Sequence, residues 1–470
     1  MDREKSDKGS VWYMTGQKRA AFVIASVLGI WIATANPPEG LNAKGMRLLG
    51  ILVWWIIMMC VEAIPAYVSC VAACTLIVIT GVGETEEVFS AFSGSTCWLL
   101  IGAYCFAAGL KNSGIIRRIA LNIMRLFPGT YRGQILGVAF ASILVAPCIP
   151  SSAAKGSILI PLSNIVSDEM GYAPHSRETV GLFTVTALIT LFGSLMFLTG
   201  GILVTSMLSI SNLSATWGEW LKIFWLWGLV MFVLSILYVM LVFAPEKKGE
   251  ALPKEALVDK CRELGPVSKK ELLALAVLGG AVFAWITEGY LHHVPAYAIA
   301  LAAWVILVMA GLFRSEDFCA KVQWNIVVMV GTLLGIVALL NTTGVASWVS
   351  GFATPLVEVC ASHKVLLLVV IIMFCTLARF VMINYMVISA MLIVVLAGCD
   401  ISPLLLVFVV HLSGQFYLLN YMNVSVLSVI GMSEGRVSFD DIGKTSIAFL
   451  AINLAATLLS VPWWTALGLM

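Results

Sequence analysis

Ten residues, Pro147-Cys148-Ile149-Pro150-Ser151-Ser152-Ala153-Ala154-Lys155-Gly156, interrupt an apolar stretch whose arms run from Gln134 to Ala146 and from Ser157 to Ile165. At 1.5 Å of rise per residue each arm reaches only ~15 to 20 Å, against a hydrocarbon core of about 30 Å. Neither arm can cross a bilayer alone. An apolar segment that is too short to span and is broken at its centre reads as a hairpin that enters and leaves a membrane on one side. Its non-helical tip is tolerable only where protein buries it or where it lines a watery cavity. Hydroxyls, free backbone amides and one lysine at that depth form a place to hold an ion or an anion.

Composition puts the stretch in a membrane. The chain of 470 residues is 60% hydrophobic and 11% charged, with a mean hydropathy of +0.98, which supplies more apolar runs than a soluble core can use. The eleven cysteines include no CxxC pair and no neighbouring histidine, so they read as buried free thiols and not as a metal site. Met1 to Arg19 carries five basic residues without a cleavage site, so the first apolar run reads as a retained helix.

Spans are expected at Ala20–Ala35, Arg47–Val61, Ala66–Ile79 and Trp98–Leu110, the last leading into a basic amphipathic stretch with Arg117, Arg118 and Arg125 that suits a membrane surface. After the hairpin (residues 133–168), Thr179–Phe197 breaks at Thr199-Gly200-Gly201 and resumes over Thr205–Thr216. Interrupted spans of this kind expose carbonyls and helix ends to a transported solute. Lys222–Phe243 closes the first half, and residues 245–270 form a mixed-charge cytoplasmic linker.

The plan then repeats. Spans at Glu271–Ile286, Pro295–Leu312 and Trp324–Leu340 lead to a second interrupted apolar segment (residues 365–397), a break at Leu419–Asn423 and a final span, Ile447–Trp464. Trp324 leads to Asn341-Thr342-Thr343-Gly344 much as Trp98 leads to Lys111-Asn112-Ser113-Gly114. Gly114 precedes Ser151 by 37 residues (151 − 114), and Gly344 precedes Ile383 by 39 (383 − 344). Matching landmarks at matching distances indicate a duplication.

With a cytoplasmic N-terminus and about eleven crossings, roughly 22 Lys and Arg fall inside and about 4 outside. The expected fold is therefore an all-α polytopic membrane protein with about eleven transmembrane helices and two re-entrant hairpins. Residues 1–45 hold the N-terminus and first helix, and residues 46–244 and 271–470 form two inverted repeats. Trp463 and Trp464 read as an interfacial belt.

Several stretches carry a family resemblance. Pro150-Ser151-Ser152-Ala153-Ala154-Lys155-Gly156 is similar to the Pro-Ser-Asn-Thr-Ala-Arg-Gly tip of the divalent anion/sodium symporter family, in its bacterial citrate, tartrate and 2-oxoglutarate/malate branch. Trp217-Gly218-Glu219-Trp220-Leu221-Lys222, Glu263-Leu264-Gly265-Pro266-Val267-Ser268, Gly435-Arg436-Val437-Ser438 and Pro462-Trp463-Trp464 extend the resemblance over nearly the whole chain. It implies a scaffold and an elevator-type transport domain, usually in a homodimer. It also implies a carrier that takes up succinate, malate, tartrate or citrate by anion exchange or cation symport.

In that family Ser-Asn-Thr motifs at the two tips hold sodium and substrate carboxylates. Here they fall on Ser151, Ser152 and Ala153 and on Ile383, Asn384 and Tyr385, and the second-half break falls on Asn420 to Asn423. By resemblance the substrate contacts are Ser151, Ser152, Ala153, Asn384, Tyr385, Asn420 and Asn423, and Lys155 joins them as a charge beside the tip. The ion contacts are Ser151, Ser152 and Asn384, with sodium the candidate coupling ion and no other cofactor; Gly193 is added as a glycine that would let an ion approach the backbone, or else simply lets helices pack. Ala153 and Ile383 stand where the pattern has hydroxyls, which removes side-chain oxygens that sodium would use, and Tyr385 narrows the cavity.

Lys155 and Arg379 are charges at mid-membrane positions, each costing at least ~2.5 kcal/mol unless something offsets it. Each either snorkels to its own side, bonds a helix end or faces an anion. A fixed cation can replace sodium, because left unpaired it holds back the empty carrier while the anion-loaded carrier moves, and exchange follows. The asparagines can equally satisfy backbone at the breaks, and the serines can cap the arm behind them. His411 reads as a core residue.

A hydrolase using Ser151 or Ser152 lacks a base near the tip, so the chain is not expected to be an enzyme. The alternatives are a carrier of sulfate or a sulfonate, or an anion sensor that has lost transport. The expected partners are a small organic anion, the lipid of a bacterial inner membrane and a second copy of the chain, with no nucleic acid.

Overall fold

The computed structural model describes residues 16–470 except 62, 151, 212, 246–251, 253, 349–362, 381–391, 393–395, 397–400 and 420–421. The described residues are helical, without β-strands. In chain order the helices are α1 Gly16–Thr34, α2 Ala43–Val61, α3 Ala66–Ile79, α4 Thr85–Val88, α5 Ser95–Ser113, α6 Ile115–Met124, α7 Tyr131–Val145 and α8 Ser152–Glu169. Then come α9 Arg177–Met196, α10 Ile202–Ile210, α11 Trp217–Val242, α12 Lys254–Glu263, α13 Lys269–Thr287, α14 Ala296–Met309, α15 Ser315–Lys321 and α16 Trp324–Thr342. The last are α17 Lys364–Ala378, α18 Pro403–Ser413, α19 Val424–Gly431, α20 Phe439–Ile442 and α21 Thr445–Ala466.

Among the described residues six helices are long and apolar enough to cross a membrane, or up to eight if each of two bent pairs is one span. One of the six, Tyr131–Cys148, is the first arm of the hairpin, so the expectation that neither arm is long enough to cross is corrected: the helices run on through polar residues to Tyr131 and Glu169. The chain falls into two compact units that interleave along the sequence. One holds residues 1–94, 324–358 and 381–398, and the other holds 95–323, 359–380 and 399–470.

The duplication has a fixed register in the backbone. Both α3 and α14 are 14 residues long and start after a proline N-cap, Pro65 or Pro295. Both end on a left-handed glycine, Gly81 or Gly311, each at φ 67°. Short helices follow at Thr85 and Ser315, and the long helices α5 and α16 end before Gly114 at φ 81° and Gly344 at φ 79°. Every pair is 230 residues apart (295 − 65, 311 − 81, 315 − 85, 344 − 114). A residue with a Cβ is strained at such a φ, so these glycines fix where each helix stops. The partners are exchanged: α16 packs on α3 and α4 in one unit, and α5 packs on α14 and α15 in the other.

In the larger unit α9 is the central helix, and nearly all of its residues are buried. The first hairpin lies along it. Going down α8, Ser152 meets Ser194, Ser163 meets Thr186 and Ser167 meets Thr179, so α8 runs antiparallel to α9. A Cβ on Gly193 would lie 2.9 Å from Ala146 Cβ, and one on Gly181 would strike the Tyr131 hydroxyl, so α7 runs parallel to α9. The two open ends therefore lie together, with the rings of Tyr131 and Tyr172 at 6.0 Å. The hairpin turns back on itself.

Three further expectations need correction. Ser152 to Gly156 belong to the first turns of α8, so the non-helical tip shrinks to about residue 149 through Pro150. A proline before a run containing Ala153 and Ala154 favours a helix start there. The linker, expected as a mixed-charge loop, contains the helix α12, and Ser268 and Glu271 make a capping box that starts α13. Trp464 is fully buried and not in a belt. Its indole donates to Ile223 O at 2.9 Å, in a cluster where Phe224 and Phe408 stack with centroids 3.7 Å apart.

Candidate functional site

The hairpin tip ends where the central helix breaks. After Met196 the chain leaves α9 and folds back, placing Gly200 and Gly201 over carbonyls of the last turn. A Cβ on Gly201 would lie 2.3 Å from Ser194 O, and one on Gly200 would lie 2.5 Å from Gly193 O. Only glycine permits that approach. Phe197 stacks on Trp217, whose indole donates to Thr199 Oγ1 at 3.1 Å, and Thr199 Oγ1 donates to Pro147 O at 2.9 Å. Tip and break are thus joined directly.

Lys155 completes the joint. It is 0% exposed, and its ammonium donates to Ser194 Oγ and to Gly200 O, both at 2.7 Å. Ser194 in turn donates to Thr190 O at 2.7 Å, and its oxygen lies 2.9 Å from Ser152 Oγ. The snorkelling alternative fails for this residue, and the helix-end alternative describes what its nitrogen does. Arg379, at the end of α17, is only 2% exposed and does not reach out to water either.

Among the described residues, the oxygens gathered around the Lys155 nitrogen that would suit a hard cation include Ser152 Oγ, Ser194 Oγ and Gly200 O. The last two already accept from a positive charge. Among the described residues no group of three or more His, Cys, Asp or Glu side chains converges as a metal site would. A narrow cleft beside the joint is lined by Pro150, Thr199, Gly201 and Thr205, with Trp285 on its far wall.

The other expected contacts divide. Asn423 is buried and caps α19, its Oδ1 accepting from Ser425 N at 3.0 Å and its amide donating to Gln415 O at 3.2 Å. Gly193 is a packing glycine against Ala146, and Ala153 lies in the first turn of α8. Ser151, Asn384, Tyr385 and Asn420 lie outside the described residues. His411 is buried in α18.

Sequence reasoning missed Ser194, Ser163 and Thr186. Their signal was a stripe on each helix: Thr179, Thr186, Thr190 and Ser194 on α9, and Ser152, Lys155, Ser163 and Ser167 on α8. These spacings of three, four, seven or eight put each set on one face.

The family described as "Sodium:sulfate symporter transmembrane region" matches residues 17–470. The chain belongs to the divalent anion/sodium symporter family. It is an integral membrane anion transporter and not an enzyme. A putative malate transporter of Bacillus subtilis is 25% identical over 344 residues, 71% of this chain and 72% of that protein. A chloroplastic dicarboxylate transporter of Spinacia oleracea is 24% identical over 348 residues, covering 72% of this chain and 62% of that protein. An L-tartrate/succinate antiporter of Escherichia coli is 28% identical over 279 residues, 55% of each chain. The Alcanivorax borkumensis YdaH transporter shares the fold, with a TM-score of 0.58 at 16% identity over 96% of this chain and 97% of that one.

Proposed function

We propose that this member of the divalent anion/sodium symporter family exchanges small dicarboxylates across the membrane, with the Lys155 ammonium in the role that sodium plays in cation-coupled relatives. The observation that carries the reading is the buried Lys155 nitrogen between hairpin tip and helix break, taking Ser194 Oγ and Gly200 O. A cation tethered to the hairpin cannot leave. An anion near the tip, by Ser152 and the Thr199–Gly201 break, neutralises that charge without touching it, and Lys155 keeps its protein partners throughout. The empty carrier carries the charge unpaired through a low-dielectric region, at ~2.5 to 3.5 kcal/mol even on the lenient insertion scale. Obligatory exchange follows.

The relatives named for malate, dicarboxylates and tartrate/succinate point to four-carbon diacids as the substrates. We place the carrier as a homodimer in a bacterial inner membrane, with a cytoplasmic N-terminus and a transport domain moving like an elevator.

The test is uptake of labelled succinate into proteoliposomes that are empty or preloaded with unlabelled dicarboxylate, in sodium or in choline, with sulfate and citrate as competitors. Uptake that needs internal dicarboxylate and ignores sodium supports the reading. Sodium-driven uptake into empty vesicles, or competition by sulfate alone, overturns it.

A further inference from the structure

A second cationic feature lies outside the Lys155 assembly. Tyr104 and Lys111 are two turns apart on α5 and share one helix face. That face, with Lys321 at the end of α15 and Gln323 just beyond it, lines a cleft whose opposite wall is Ile149 and Ala154, the two flanks of the hairpin tip. Tyr104 donates to Gln323 Oε1 at 3.0 Å, and the Lys111 ammonium donates to Ser157 Oγ at 2.7 Å, one turn back from the tip.

Both lysines are exposed, and neither has an ion-pair partner among the described residues. The nearest acid in sequence to Lys321, Asp317, does not line the cleft and pairs with neither lysine; its Oδ2 accepts from Arg314 N at 2.9 Å and from Asn112 Nδ2 at 3.0 Å. Two ammonium ions in one cleft, with no acid between them, repel each other until an anion enters. Low-dielectric walls focus that field.

We propose that this cleft is a second anion site, an outer waiting position for a dicarboxylate next to the hairpin tip. One carboxylate lies between Lys111 and Lys321, and the carbon chain lies against Ile149 and Ala154. The proposal rests on the anion-carrier reading but assigns a site that the transport joint does not include. An anion held there is one hairpin residue away from Pro150, so loading becomes a short transfer and not a capture from bulk solution.

The test uses the full-length protein in proteoliposomes, with succinate as the probe. K111Q/K321Q is expected to raise the KM for succinate about tenfold on the side where the cleft opens, with kcat unchanged, and to flatten the dependence of kcat/KM on salt. K111R/K321R keeps both charges and is expected to behave as wild type. S157A removes the one hydrogen bond that Lys111 makes to the hairpin while keeping its charge, and is also expected to behave as wild type. Calorimetric titration with succinate is expected to give two sites per chain in wild type and one in K111Q/K321Q. K321Q alone disturbs no side-chain hydrogen bond among the described residues and provides the same reading, with a smaller shift, should the double variant fail to fold.

If S157A reproduces the K111Q/K321Q effect, the lysine is a structural tie and the proposal falls. It also falls if wild type exchanges normally while K111Q/K321Q matches it in KM, salt slope and stoichiometry. Failure of wild type to exchange or bind any dicarboxylate instead defeats the carrier reading on which this one rests.

Discussion

Replacing Lys155 by methionine keeps most of the unbranched apolar stem, one heavy atom shorter, and removes the charge, which largely separates the electrostatic role from packing. Two charge-assisted hydrogen bonds at 2.7 Å are lost, to Ser194 Oγ and Gly200 O. Each is worth about 1.5 to 3 kcal/mol. Against this, the cost of holding an ammonium away from water, several kcal/mol, disappears as well. Ser194 keeps its bond to Thr190 O and its neighbour Ser152, so only the Gly200 carbonyl is left without its partner. The two effects oppose each other, and the melting temperature is expected to move by only a few degrees. Transport responds differently. A penalty of ~2.5 to 3.5 kcal/mol on the empty carrier slows its reorientation by about 70- to 400-fold at ~1.36 kcal/mol per tenfold. In wild type the ratio of succinate counterflow to net uptake is therefore expected near 100 or above. In Lys155→Met it is expected to fall toward unity. The freed oxygens at Ser194 and Gly200 can then serve sodium, so binding by the variant is expected to become sodium-dependent. A variant whose counterflow ratio and sodium independence match wild type would refute the reasoning.

Other expected outcomes follow from the same geometry. Gly201→Ala puts a Cβ 2.3 Å from Ser194 O, a backbone atom that cannot swing aside, so the break must open. Exchange should be lost and thermal stability lowered, whereas Gly279→Ala, with nothing within 4 Å, should match wild type in both assays. Arg118→Ala removes a guanidinium that donates to Glu271 Oε1 at 2.7 Å, Gly265 O at 3.0 Å and Leu264 O at 3.1 Å, leaving a buried carboxylate without its ion-pair partner. A loss of about 3 kcal/mol is expected, read as a lower melting temperature and faster proteolysis near α12. Trp464→Ala empties the aromatic cluster around Phe224 and Phe408 and should cost about 3 to 5 kcal/mol, while Trp463→Ala, nearer the surface, should cost less.

The parts of the fold legible in the sequence are those set by short-range chemistry. Gly114 and Gly344 announce helix ends because a left-handed φ is a local requirement, and Pro147 to Pro150 mark where the hairpin turns, whereas its arms were read too short because the helices continue through polar residues to Tyr131 and Glu169. The repeat was visible from these landmarks, although its register of 230 residues becomes plain only when Pro65, Gly81 and Thr85 are set against Pro295, Gly311 and Ser315. The short helices α12 and α15 were missed because mixed charge over so few residues resembles a loop. The joint itself was only half legible. Lys155 stood out as a charge in an apolar segment, but its acceptors lie 39 and 45 residues away, at Ser194 and Gly200, and Gly200 contributes a carbonyl that every residue possesses. The hydroxyl stripes on α8 and α9 gave the one sequence signal that these two helices face each other.

The central claim is that a lysine fixed to the hairpin stands in for a coupling cation. Equilibrium binding of labelled succinate to the purified wild-type protein, titrated in choline and then in sodium at constant ionic strength, tests it most directly. The account predicts the same dissociation constant, within about twofold, in both salts. Binding that appears only in sodium, and saturates with it, would contradict the account.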